Sequence, residues 1–246
     1  MSERKRKIAV VTGASSGIGE AAARALAADG WYVLAAARRY ERVAALAEEI
    51  GGEPHRLDVT DDASVACLAR SVDDLGGCDL LVNNAGGARG LDPVTEADIE
   101  KWRWMYEVNV LGTLRMSNAL HGALAASPRG GLVINIGSVA GLTPYPGGAG
   151  YNAAKFGLRA LTRVQRIEEA SAAPEGLRVT QIDPGRVHTE EFSLNRFGGD
   201  AERAAAVYRD VLSLTAQDVA EAVRWVASLP AHVNVDHLHL MPKDQA

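Results

Sequence analysis

The sequence predicts an α/β fold: one doubly wound parallel sheet with helices on both faces, in a single domain over residues 1–246. Three observations carry this. Short apolar runs alternate with segments of helical spacing from one end of the chain to the other. The runs are nearly continuous, the pattern of strands buried on both faces. No linker, internal repeat or low-complexity segment interrupts the succession, and 246 residues suit one large α/β domain.

Taken in order, strands are expected at KIAVVT (7–12), YVLAAA (32–37), PHRLDV (54–59), DLLVNN (79–84), GLVINIG (131–137), RVTQID (178–183) and VDHLHLM (235–241). Between them, helical spacing covers Gly17–Ala28, Tyr40–Ile50, Asp62–Asp74, a long segment around Ala97–Ala126, and Tyr151–Glu169. Gly30 falls just past the first helix, where a glycine can take the left-handed turn that ends it. Asp61 is placed to cap the third, and Thr215 with Asp218 forms a capping-box pattern before VAEAVRWVASL. Phe192–Tyr208 has weak periodicity and many Gly, Arg and Ala residues, so a mobile lid is expected at about 190–210. In such a sheet a ligand binds beyond the carboxyl ends of the strands.

Composition excludes several classes. Net charge is −5, the wrong sign for a general nucleic-acid binder. Cys67 and Cys78 form no CxxC motif and no metal cluster, so no metal is expected and a reduced, cytoplasmic setting is. The four apolar residues Ile8 to Val11 are fewer than the roughly 7–15 of a secretory leader. The longest apolar run, Trp31 to Ala37, is far below the ~20 residues of a membrane span.

The first strand runs into TGASSGIG (12–19), with glycines at Gly13, Gly17 and Gly19. Glycines there permit a tight turn, let backbone approach a pyrophosphate, and leave a helix N-terminus facing the anion. The second strand ends at Arg38 and Arg39, where an NAD site usually has an acid; arginine suits a 2′-phosphate, and the pair favours NADP. In YNAAK, Tyr151 and Lys155 lie four apart and share one helix face. A nearby ammonium favours phenolate, so the pair suits acid/base work.

TGASSGIG, LDVT (57–60), VNNAG (82–86), VNVLG (108–112), INIGSVAG (134–141), YNAAK and DPGRVHT (183–189) occur in that order. With this set the chain resembles a short-chain dehydrogenase/reductase along almost its whole length. The resemblance implies a seven-stranded Rossmann sheet, a cofactor half over about 1–130, a catalytic and substrate half over about 131–246, and a homotetramer. It implies that Asn109, Ser138, Tyr151 and Lys155 are catalytic. Asn109 would shape its helix and hold a relay water, Ser138 would bind the substrate oxygen, and Tyr151 would be the acid/base. Lys155 would bind the nicotinamide ribose and lower the Tyr151 pKa. NADP(H) would be held by Gly13, Ser15, Ser16, Gly17, Ile18, Gly19, Arg38, Arg39, Asp58, Val59 and Asn84, then by Tyr151, Lys155, Pro184, Gly185, Val187 and Thr189. Asn83 reads as a structural turn residue, His188 as non-catalytic, and Trp102 and Trp104 as packing or interface.

EEFSLNRF (190–197) and the C-terminal stretch 214–242 are similar to one branch, the NADP-dependent 3-hydroxy acid (serine or allo-threonine) dehydrogenases. That implies hydride transfer between NADP(H) and a small 3-hydroxy acid or its 3-oxo form. The alternatives are an NADPH-dependent reductase of a bulkier ketone or 3-oxoacyl thioester, and a non-catalytic NADP-binding regulator. A hydroxy acid calls for a cation to hold its carboxylate, and Arg89, Arg186 and Arg196 are the candidates.

Overall fold

The computed structural model describes residues 6–172 and 176–245. Residues 1–5, on which part of the leader reading rests, lie outside them. The strands are β1 (Lys7–Thr12), β2 (Trp31–Ala37), β3 (Glu53–Arg56), β4 (Leu80–Asn83), β5 (Leu132–Ile136), β6 (Arg178–Pro184), β7 (Val187–His188), β8 (Leu214–Thr215) and β9 (His237–Leu240). Seven of them form one sheet in the order β3-β2-β1-β4-β5-β6-β9. Every pairing in it is parallel. β7 and β8 make a separate two-residue ladder.

The helices are α1 (Gly17–Ala28), α2 (Tyr40–Ile50), α3 (Asp62–Asp74), α4 (Ile99–Tyr106), α5 (Gly112–Ala125), α6 (Ala149–Ser171), α7 (Phe192–Arg196), α8 (Ala201–Ala206) and α9 (Ala216–Ser228). Successive strand residues point to opposite faces, and both faces are covered. Ala9 and Val11 of β1 join one core with Leu26 of α1, Leu46 of α2 and Val223 of α9. Ile8 and Val10 join the other with Leu68 of α3 and Leu120 of α5. That double burial is why the strands are apolar throughout. Strand order reverses between β1 and β4, which opens a crevice at their carboxyl ends.

The caps fall where the residues place them. Gly30 takes φ +80°. Asp61 Oδ1 accepts the Ala63 N–H at 3.0 Å, and Thr215 and Asp218 form the reciprocal box. Two elements differ from expectation. The strand expected over 54–59 ends at Arg56, because Asp58 Oδ1 accepts the backbone N–H and hydroxyl of Thr60 and turns the chain. The long helix around 97–126 is two helices joined by a π-helical turn, Glu107–Leu111. Asn109 is the cause. Its Nδ2 donates to Met105 O at 2.7 Å, the carbonyl its own backbone N–H would take in a regular helix. The segment expected as a mobile lid carries α7 and α8, joined by Gly198 and Gly199 at positive φ. No helix among the described residues is long and apolar enough to cross a membrane.

Candidate active site

The crevice begins at the glycine loop. Gly13 takes φ +66° and Gly17 φ +58°. A Cβ on Gly19 would stand 2.5 Å from Gly13 O, so only glycine lets α1 start this close to β1. Asn84 Nδ2 donates to the carbonyls of Thr12 (3.0 Å) and Gly13 (3.3 Å). Asn84 therefore shapes the crevice by pinning the loop to the end of β4. Asn83, read as a turn residue, is a buried end of β4 whose amide donates to Asn135 at 2.9 Å. Apart from Gly19 and Asn109, every residue named for cofactor or catalysis lines this one cleft.

Cations and hydroxyls gather beside the α1 N-terminus. Arg39 Nη2 donates to Ser15 Oγ at 2.8 Å and Ser16 Oγ at 2.9 Å. Its Nη1 pairs with Glu191 at 2.7 Å, and Arg42 Nη1 pairs with the same carboxylate oxygen at 2.5 Å. Ser16 Oγ donates to the other oxygen at 2.9 Å. The hydrogen bond from Arg39 is the main reason the Glu191 carboxyl is held down to about 2; partial burial opposes it, and Ser16 and Arg42 assist. Such a cradle, with glycine backbone beside it, fits a nucleotide phosphate. Arg38 does not join it, and its charge acts instead on Arg89.

The opposite wall carries Tyr151 and Lys155, the pair expected to do acid/base work. Tyr151 and Lys155, one turn apart on α6, are both buried. Lys155 Nζ lies 5.8 Å from the Tyr151 ring centroid and donates to Ile136 O at 2.9 Å. Burial pushes the lysine down to about 8, and Asp183 pulls it back up. Burial also raises the Tyr151 phenol well above its ordinary value; Tyr145 adds to this, the Ser138 hydrogen bond and Arg196 oppose it, and Asp183 again adds. The low tyrosine pKa expected from Lys155 is thus absent in the free chain, where the phenol stays protonated as a donor.

Ser138 follows β5. Its Oγ caps a short 3-10 turn by accepting the Ala140 N–H at 3.1 Å, and its own N–H donates to Asp183 Oδ1 at 2.8 Å. Asp183 is fully buried and also accepts from Gln181 Nε2 at 2.9 Å and meets His237 Nε2 at 2.7 Å. A Cβ on Gly137 would fall on Asp183 Oδ1, so this position must be glycine. Asp183, His237 and Glu191 were not singled out from the sequence; the Asp of the DPG motif was the one available signal. Asn109 lies behind the wall, with its amide on Met105 O and on Gly87 O at 2.9 Å.

The three arginines separate. Arg186 is engaged by Asp244 (3.0 Å) and by Leu212 O (2.6 Å). Arg89 stacks over Trp104 at 3.8 Å. Arg196 donates through Nε to Gly90 O at 3.0 Å, while its Nη2 is buried without a partner. Its guanidinium stands 5.9 Å from the Tyr151 ring centroid, at a narrow recess that Tyr151 and Trp102 also line. Phe192 packs edge-on against Tyr151 at 5.8 Å. His188 stacks on Tyr208 at 4.3 Å, and Trp102 and Trp104 pack around the Tyr151 cluster.

A crevice at the switch point with a glycine loop, and a half-buried serine facing it beside a buried Tyr–Lys pair, describe one class of oxidoreductase. The family model for short chain dehydrogenases matches residues 7–196, and the chain belongs to that family. An uncharacterized oxidoreductase of Mycobacterium tuberculosis is 52% identical over 242 residues, covering 98% of this chain and 93% of the relative. The NADP-dependent 3-hydroxy acid dehydrogenase YdfG of Salmonella typhi is 41% identical, with 97% and 96% covered. A serine dehydrogenase solved in its closed form with NADP+ superposes at TM-score 0.91 and 39% identity, over 97% of this chain and 96% of that one.

Proposed function

We propose that this enzyme moves a hydride between NADP(H) and a small 3-hydroxy acid or its 3-oxo form. When bound, the nicotinamide supplies or accepts the hydride. The chain does the rest. In reduction, the Ser138 hydroxyl donates to the substrate oxygen as negative charge grows there, and Tyr151 Oη delivers its proton to that oxygen. The resulting phenolate is reprotonated from Lys155, whose pKa near 8 lets it release a proton close to neutrality, by way of water beside Asn109. The cradle of Ser15, Ser16, Arg39 and Arg42 holds the 2′-phosphate of the cofactor.

One observation carries the acid substrate: the unpartnered, buried Nη2 of Arg196 beside Tyr151. A buried donor without an acceptor is unfavourable, and a carboxylate in the recess supplies one. The names of the Salmonella and serine dehydrogenase relatives support the same choice. Tyr106, Phe156, Val164 and Ile167 stand exposed on α4 and α6 and offer the apolar face that a homotetramer would cover.

The test follows reduced-nicotinamide absorbance with NADP or NAD and serine, allo-threonine, 3-hydroxypropionate, 3-hydroxyisobutyrate or a plain secondary alcohol. Turnover of the acids and not the alcohol supports the proposal. Turnover of neutral alcohols, bulky ketones or 3-oxoacyl thioesters alone would leave the chemistry of Tyr151 standing and remove the acid substrate.

A further inference from the structure

The cleft holds an acid for which the reaction has no use. Glu191 precedes α7, and its carboxylate sits between Arg39 (2.7 Å), Arg42 (2.5 Å) and the Ser16 hydroxyl (2.9 Å). These are the donors that the cofactor site offers to a phosphate. Carboxylate and phosphate oxygens ask for the same partners, a guanidinium fork and a hydroxyl. Glu191 is held firmly: its side chain is 19% exposed, against 43% for Arg39 and 54% for Arg42. The loop before it is seated as well, since a Cβ on Gly17 would lie 3.3 Å from Thr189 Cγ2. The carboxyl is held down to about 2, so it stays charged at any physiological pH. A competing anion is then the natural means of displacing it.

We infer that Glu191 is a cofactor-selectivity residue: its carboxylate and the 2′-phosphate of NADP(H) exclude one another from the cradle of Ser16, Arg39 and Arg42. This rests on the reading of that cradle as the 2′-phosphate site. NADP(H) has to displace Glu191, and its affinity is lowered by the ion pairs it breaks. NAD(H) has a hydroxyl at that position, which can donate to a carboxylate, the arrangement that an acidic residue provides in NAD sites. Glu191 therefore narrows the preference for NADP that the arginines create, and removing its charge widens it.

Glu191→Gln keeps the shape and removes the charge. The experiment titrates wild type and variant with NADPH and with NADH at low ionic strength, following nicotinamide fluorescence. The expected result is NADPH binding about tenfold tighter, equivalent to about 1.4 kcal/mol, with NADH no tighter. Adenosine 2′-monophosphate should gain likewise and adenosine 5′-monophosphate should not. NADPH binding no tighter than wild type overturns the inference. So does an equal gain for NADH, which would make the loop a plain cover over the cleft. Arg39→Ala separates the two levels: unchanged NADPH affinity in that variant removes the cradle and the inference together. Weakened NADPH binding there, with no gain in Glu191→Gln, removes the inference alone.

Discussion

Asp183 and Glu191 lie eight residues apart along the segment that leaves β6, and the cleft treats their carboxylates in opposite ways. Asp183 is fully buried, with donors from the Ser138 backbone, Gln181 and the His237 ring. Those donors sit on or beside three strands of the sheet, with the Ser138 N–H and Gln181 fixed by β5 and β6 and only His237, on the edge strand β9, open to solvent. Glu191 is held by long side chains at the surface, Arg39 and Arg42, and by one hydroxyl. The first carboxylate is a fixed charge behind Ser138, Tyr151 and Lys155. The second is an exchangeable ligand. On the proposed function, the cleft has a rigid wall for proton transfer and an adaptable wall for an incoming anion, consistent with reacting groups needing tighter placement than binding groups.

The largest effect is expected at the rigid wall. Tyr151→Phe keeps the ring packed against Phe192 and removes the hydroxyl proposed as the proton donor. Its kcat should fall by about 10²–10⁴-fold, the range general acid–base catalysis supplies, with NADPH affinity near wild type. Turnover close to the wild-type rate would remove Tyr151 from the mechanism.

Arg196→Ala addresses the substrate. A hydrogen bond to a charged group is worth about 1.5–3 kcal/mol, so KM for a hydroxy acid should rise about 10- to 100-fold. KM for a neutral ketone should stay put. Equal effects on both would mean that Arg196 only anchors α7, through Gly90 O and the Tyr145 ring.

What the sequence disclosed follows the range of the interactions. α1, α2 and α3 begin and end at the residues the pattern indicated, because apolar spacing and terminal signals such as Gly30 and Asp61 act within a turn. The four residues proposed as catalytic could be named because their motifs are local and ordered along the chain. The break at Asn109 was not, since it depends on one amide reaching Gly87 across 22 residues. The two carboxylates were still less accessible: Asp183 meets His237 across 54 residues and Glu191 meets Ser16 across 175. For the same reason the sequence could not rank Arg38 against Arg39, or set Arg186 aside before Asp244 was seen to engage it.

Asp183→Asn tests the fixed charge. Asp183 raises the Lys155 pKa, so the variant lysine should lose its proton at a lower pH than the wild-type value of about 8. The alkaline limb of the pH–rate profile should then move to lower pH, by up to about one unit, or a factor of ten in rate on that limb. Superimposable profiles would reduce Asp183 to a packing role. The cost to stability should be about 1–3 kcal/mol, because three donors lose a charged acceptor in the core.

In the stability of the free protein the two walls should respond with opposite signs. Burial depresses Lys155 from 10.5 to about 8, so folding disfavours its charged form. That cost is fully present below pH 8, where the lysine is protonated whether folded or unfolded. It is relieved as the pH rises from about 8 toward 10.5, where the folded lysine sheds its proton and the unfolded one keeps it. Lys155→Met should therefore stabilise the free protein by about 1–3 kcal/mol at pH 7, and the gain should shrink above pH 8. Glu191→Gln should instead destabilise the free protein by no more than about 1 kcal/mol, the value of a surface ion pair. Denaturant midpoints measured across this pH range decide the matter. Loss of stability in Lys155→Met at pH 7 would mean that the ammonium is a structural group in its own right, and the rigid wall would then owe its form to packing as much as to catalysis.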